Sequence, residues 1–149
     1  MNEAQLVVFR LGKEEYAVSI SQVKGIIHHQ GATKIPNAPE YMEGVINLRG
    51  KVIPVAELAT RFGIEARNET DSRIIIVETA GQEVGIVVDE VTEVISLQQT
   101  AIEPAPAMAG SSDYVCGVGK ENDRLLILLD LEKLFKRGEI ETSQVVNIT

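Results

Sequence analysis

Two histidines, His28 and His29, stand side by side in this chain of 149 residues, and imidazole is the side chain best suited to bind a metal or move a proton near neutral pH. On a strand, adjacent residues point to opposite faces, so the pair cannot close on one metal ion and reads as solvent-exposed loop histidines. The single thiol, Cys116, lies in an apolar run. It lacks the electropositive setting of a nucleophile, reads as a buried structural cysteine, and excludes an internal disulfide. Gly117-Val118-Gly119-Lys120 superficially resembles a phosphate loop, but Tyr114 stands where glycine is needed and Glu121 where a hydroxyl must reach Mg²⁺. Asp89, Glu90 and Glu103 supply carboxylates without a basic partner or a metal-ligand spacing, as on a solvated face. The residues therefore imply no catalytic site, no cofactor and no metal.

The candidates that remain are binding residues. Arg49 leads them: it stands at a hairpin tip between the apolar stretches VINL and VIPV, and its five donors suit a carboxylate or carbonyl on a partner. Asn47 and Leu48 share its four-residue link, Asn47-Leu48-Arg49-Gly50. Val18, Val23 and Val91 complete the set. Val23 and Val91 occupy matched positions of an internal repeat, where they could flank one apolar groove or simply be core valines.

That repeat sets the elements that must position these residues. Residues 41–62 and 114–135 match at an offset of 73: Tyr41 with Tyr114, Gly44 with Gly117, Val45 with Val118, Lys51 with Arg124, Glu57 with Asp130, Leu58 with Leu131 and Phe62 with Phe135. The second copy has no cation at its tip, where Glu121-Asn122-Asp123 stands. Upstream, Tyr16, Val18, Ile20, Val23 and Ile27 precede Val84, Ile86, Val88, Val91 and Ile95 by 68. The order is A-B-A′-B′, too few units for a solenoid and suited to two similar subdomains side by side. Residues 6–11 and 15–20 predict a hairpin about Gly12-Lys13-Glu14, repeated by residues 73–79 and 83–88 about Ala80-Gly81-Gln82. Each B unit predicts two strands about a tight turn and then a short helix, stopped by Gly63 or Gly138. Pro54 demotes its strand to an edge or an interrupted one. Four of the five prolines fall in residues 30–40 and 98–113, which read as links. The expected fold is mainly β: two small curled sheets or barrels of five strands, closing their own edges, rather than one open ten-stranded sheet.

Composition narrows the function. A net charge of −8 with no basic cluster longer than Lys136-Arg137 argues against a nucleic-acid footprint. No stretch approaches the ~18 apolar residues of a membrane span, and the N-terminus predicts no signal peptide. A cytoplasmic chain without membrane insertion is expected.

The strings IPNAPEY, EGVINLRGKVIPVAEL, VGIVVDEVTEVISL and RLLILLDLEKLF resemble the CheW family of chemotaxis coupling proteins from Gln5 to Phe135. The resemblance implies a single CheW-like domain over 1–149, made of two five-stranded SH3-like barrels with a cleft between them. The pseudo-repeated subdomains, approximately 15–70 and 83–136, would be completed by the remaining segments and open to strand exchange. It further implies a non-catalytic adaptor, monomeric when isolated, that bridges the cytoplasmic tip of a methyl-accepting chemoreceptor to the regulatory domain of the histidine kinase CheA. Arg49 belongs to the family's functional set. Where many members carry an acid after the first hairpin, this chain has Gly25. The rival expectation is a small-ligand sensor or cryptic enzyme using the cleft, which a polar pocket with converging ionisable groups would favour.

Overall fold

The computed structural model describes residues 3–64, 72–105 and 114–135. Eleven strands and two short helices fill them: β1 (Glu3–Leu11), β2 (Glu14–Ser19), β3 (Val23–His28), β4 (Met42–Leu48), β5 (Lys51–Glu57), α1 (Leu58–Arg61), β6 (Arg73–Thr79), β7 (Gln82–Val88), β8 (Glu90–Gln98), β9 (Ile102–Glu103), β10 (Val115–Glu121), β11 (Arg124–Leu129) and α2 (Leu131–Leu134). The strands form two sheets, one ordered β8-β1-β2-β11-β10-β9 and the other β3-β6-β7-β5-β4. The fold is thus mostly β, in two curled sheets of SH3-like type, with six strands in one because the short β9 is added. Among the described residues no helix is long and apolar enough to cross a membrane.

The four hairpins form where β-branched runs meet two-residue turns. Leu11 faces Glu14, Leu48 faces Lys51, Thr79 faces Gln82 and Glu121 faces Arg124. Two of the turns, Arg49-Gly50 and Ala80-Gly81, have positive φ at both central residues, as a type I′ turn requires to match the strand twist.

The hairpins are exchanged between the halves. β1 and β2 join β8–β11, with β2 running parallel to β11, while β6 and β7 join β3–β5, with β7 running parallel to β5. The sheets therefore cross the bounds 15–70 and 83–136: β2 belongs with the second B unit and β7 with the first. The repeat is exact in register, since Val55 pairs with Gly85 as Leu128 pairs with Ala17. Burial follows the same plan. Leu6, Val8, Ala17, Leu97, Leu126 and Leu128 fill one sheet, and Ile53, Val55, Ile74, Ile76 and Val87 fill the other. The largest cluster, which includes Phe9, Tyr16, Val18, Leu58, Ile75, Ile86, Leu131 and Phe135, draws on both sheets and is their shared seam.

Three expectations are corrected. Pro54 is not on an edge, because β5 lies between β7 and β4. It is tolerated because it faces Val45, whose N–H and C=O are both turned away to Thr33; this is a non-hydrogen-bonded site, so a missing N–H costs no bond to β4. The link at 98–113 contains a 3₁₀ turn at Gln99–Ala101 and then β9, which pairs with Val118 and Gly119. Cys116 is exposed, because Gly117 and Gly119 take the inward face of β10 and Cys116 the alternate, outward one. Gly63 does end α1, with φ of 73° and its N–H donating to Thr60 at 3.1 Å; Gly138 lies outside the described residues.

Candidate partner-binding surface

Arg49 sits at the tip of the β4–β5 hairpin, exposed, with φ of 53°. Asn47, one residue inside β4, accepts a hydrogen bond from the Gly50 N–H through Oδ1 at 3.0 Å, an Asx-type closure that holds the tip in shape. Among the described residues the Arg49 guanidinium has no hydrogen bond or ion pair. A free, permanently charged fork on a rigid turn is available for an outside acceptor. Leu48 packs against the core of its own barrel, so it anchors the tip more than it displays a contact. The equivalent tip in the other sheet is different: Arg124 binds Glu121 (Nη2 to Oε1 2.5 Å), Glu93 (2.5 Å) and Glu15 (3.2 Å). Hydrogen bonds that it donates to the carboxylates of Glu121 and Glu93 raise its pKa above the ordinary arginine range.

The three valines separate. Val18 is 1% exposed inside the shared seam, because β2 turns alternate residues inward; a partner cannot reach it, and it leaves the candidate set. Val23 and Val91 are half-buried against that seam. Each lies beside a matched bulge, at Val23/Gly25 in β3 and opposite Val8/Phe9 in β8. The structure places them at equivalent points and away from Arg49's hairpin.

Other polar residues hold the scaffold. Asp89 accepts from the Gly12 N–H at 2.8 Å and closes the first hairpin, Glu90 pairs with Arg10, and Glu103 pairs with Lys120 at 2.6 Å. His28 ends β3 exposed, but His29 is not a loop histidine in solvent: its Nε2 lies 2.8 Å from Glu43 Oε2 and its Nδ1 accepts from the Gly31 N–H at 3.2 Å. The backbone bond makes Nδ1 an acceptor, so neutral His29 donates from Nε2. Although Cys116 is exposed, its Sγ lies partly covered against the strand and donates to the Leu128 carbonyl at 3.5 Å; that partial desolvation, then the charge of Asp130, raises its pKa. Among the described residues no cluster of three His, Cys, Asp or Glu could hold a metal.

One element at the seam escaped the residue-by-residue reading. Arg61 of α1 lies 5.2 Å from the ring centroid of Tyr41 and 5.6 Å from that of Tyr114, and donates to the Leu134 carbonyl at 3.5 Å. Tyr41 and Tyr114 are repeat mates, so one cation spans both copies. The signal was present: the 73-residue offset puts Leu134 where Arg61 stands, and a repeat breaks its own pattern where one copy serves both. Phe9, Tyr16, Phe62 and Tyr114 continue the column at centroid spacings of 5.9, 5.4 and 5.2 Å.

Outward-facing apolar residues repeat as well. Ile26 (43% exposed) and Val94 (56%) are mates at offset 68, and Val52 (69%) and Leu125 (61%) are mates at offset 73. Both barrels thus display large apolar side chains at the same two positions.

Comparison with known proteins agrees with this geometry. The profile of the CheW-like domain matches residues 5–139. The chain is similar to the chemotaxis protein CheW of Klebsiella aerogenes (38% identity, 91% of this chain, 84% of that one) and of Bacillus subtilis (37%, 94% and 90%). The solved structure of the scaffolding protein TtCheW from Thermoanaerobacter tengcongensis superposes with a TM-score of 0.86 at 44% identity, over 93% of this chain and 96% of that one. With duplicated barrels, exchanged hairpins and a profile match over most of its length, the chain belongs to the CheW family.

Proposed function

We propose that this chain is a cytoplasmic, non-catalytic coupling adaptor of bacterial chemotaxis signalling, which bridges the cytoplasmic tip of a chemoreceptor to the regulatory domain of the histidine kinase CheA. The relatives' names, chemotaxis protein and scaffolding protein, support the pathway. The observation that carries the bridging role is the repetition of outward apolar residues, Ile26 and Val52 on one barrel and Val94 and Leu125 on the other: a molecule that shows one docking pattern twice can hold two partners at once. Arg49, with Asn47 setting its turn, gives one barrel a directional contact that the other lacks. The cleft at the mouth of the second sheet does not favour a small-ligand sensor, since His28 is its single ionisable lining residue; the pocket of about 480 Å³ lined by Lys34, Glu40, Glu43 and Glu57 is where that second reading would be tested. The test is a titration of CheA and of a receptor fragment from the same organism against wild type and Arg49→Ala, with melting curves alongside. The loss of Arg49 should cost about 2 kcal/mol or more of binding to at least one partner, as truncated arginine anchors do, with stability shifted by no more than about 0.5 kcal/mol. Unchanged affinity for both partners would sink its role. Turnover that follows the folded protein and vanishes with its carboxylates or histidines would sink the adaptor reading itself.

A further inference from the structure

His29 uses both of its ring nitrogens. Nε2 lies 2.8 Å from Glu43 Oε2 on β4, and Nδ1 accepts from the Gly31 N–H at 3.2 Å. The two contacts respond in opposite ways to one proton. A neutral ring carries one N–H and one acceptor and serves both, whereas a ring protonated on both nitrogens has two donors and no acceptor. The Glu43 contact is then reinforced as a charge-assisted bond, while at Nδ1 an N–H faces the Gly31 N–H, donor against donor.

Which contact gives way follows from what surrounds the ring. The side chains of His29 and Glu43 are 16% and 27% exposed, and Glu43 Oε1 is buried with no hydrogen-bond partner among the described residues, so this carboxylate gains from a cation beside it. Lys34, Glu40 and Glu57 line one pocket with Glu43, and Glu57 accepts from the Thr60 hydroxyl at 3.0 Å. From β6 comes Arg73, which donates to the same Ser72 carbonyl that the His29 N–H binds. His28, the preceding residue, takes the opposite face of the chain. Three acids against two cations hold a positive ring where it is, on Glu43. Gly31 is the partner that can leave, since its φ of 101° and the open space where a side chain would begin let its backbone turn.

Movement is stopped on both sides. The His29 N–H is bonded to the Ser72 carbonyl at 3.2 Å, and Thr33 exchanges two hydrogen bonds with Val45, at 2.9 and 2.8 Å. The stretch between these anchors is Gln30, Gly31 and Ala32, which with Asn47 and Leu48 line the cleft of about 820 Å³. We propose that His29 is a proton-operated latch on the link between β3 and β4: neutral, it holds Gly31 and this wall of the cleft in place; protonated, it stays with Glu43 and releases residues 30–32. The latch stands or fails independently of the adaptor role, because its test needs neither kinase nor receptor.

The test is an NMR titration of the isotope-labelled full-length protein from about pH 8 to about pH 5, the span in which histidine changes charge, following the backbone amides and the ring nitrogens of His28 and His29. At the alkaline end the His29 ring should carry its proton on Nε2. On acidification the Gly31 amide should lose its hydrogen-bonded shift with the midpoint of the His29 ring, while the amides of Thr33 and Val45 keep theirs. In His29→Gln the Gly31 amide should no longer titrate, and in Glu43→Gln the His29 and Gly31 midpoints should move together to lower pH, because the carboxylate that holds the positive ring is gone. A neutral ring protonated on Nδ1, a ring that stays neutral to the acid end, or a Gly31 amide that keeps its shift as His29 titrates would each overturn the proposal. So would a Gly31 amide that follows His28 or still titrates in His29→Gln. Amides across both sheets moving with the same midpoint would mean unfolding rather than release of the link, and would overturn it too.

Discussion

Arg49 is held at φ 53°, and its neighbour Gly50 at φ 85°. Left-handed backbone is natural for glycine or asparagine and unfavourable for other side chains, by about 1 kcal/mol or more. An arginine kept where asparagine would fold better is an observation that points to use rather than stability. We therefore expect Arg49→Asn to raise stability by roughly 0.5 kcal/mol while weakening partner binding as Arg49→Ala is expected to; a denaturant titration beside a binding isotherm checks both, and a variant that loses stability would make the residue structural. The matched glycines differ in the same physical way. A side chain on Gly44 would meet the Thr33 carbonyl oxygen at 2.2 Å, at φ 149°, whereas one on Gly117 would meet the Glu103 oxygen at 2.9 Å without a positive φ. Both mark the bulge and close backbone approach that their strand positions predict. Gly44→Ala should cost about 3 kcal/mol and Gly117→Ala about 1 to 2, ranked by chemical denaturation; equal melting of the two would contradict the contact geometry.

At the scale of elements, the first sheet gathers three acids from β2, β8 and β10 around Arg124 of β11. Because the fold raises the arginine's pKa, its contribution is complete below the ordinary arginine range and is lost only as pH rises through the raised value, beyond working conditions. Arg124→Met should cost about 1 kcal/mol at neutral pH, a figure discounted for partial exposure. Denaturant curves of wild type and variant at that pH decide it: an unchanged stability removes the charge cluster as a contributor. Such a cluster cannot be read from Glu15, Glu93, Glu121 and Arg124 in a line, because strands far apart in sequence bring them together. The hairpins were legible, since β-branched runs about Gly12, Gly50, Gly81 and Asn122-Asp123 are local signals. Pro54 misled because its tolerance depends on which side of β5 the nitrogen faces, a property of the ladder and not of the residue. Cys116 misled because an apolar run does not say which face each residue takes: Gly117 and Gly119 hold the inward face of β10 and Cys116 the outward one.

The whole molecule is tied by exchange. The repeat offsets of 68 and 73 were visible in the sequence, and with them the two similar halves, but which hairpin joins which B unit is a long-range choice that local pattern does not encode. The Thr33 bridge and the open cleft beside it were equally hidden, because they exist only where β3, β4 and β6 meet. Each barrel core is small, and the largest cluster, including Phe9, Tyr16, Leu58, Ile75, Ile86 and Phe135, belongs to neither barrel alone. A fragment ending near Ser72 would carry β1 and β2 without β8–β11, and β3–β5 without β6 and β7. Both of its sheets would end in unpaired strand edges, and half the seam would face water, which chains of that size do not survive. Residues 1–72 and 73–149 expressed apart should therefore each lack a cooperative transition. Mixed at equal concentration they should recover a folded complex, since every hairpin finds its partner in the other piece. The intact chain should melt in one step, with calorimetric and van't Hoff enthalpies equal. Circular dichroism melts of each fragment and of the mixture test the point: a fragment that folds alone, or an intact chain with two separate transitions, would show that the barrels are independent units and that the exchange contributes little to their stability.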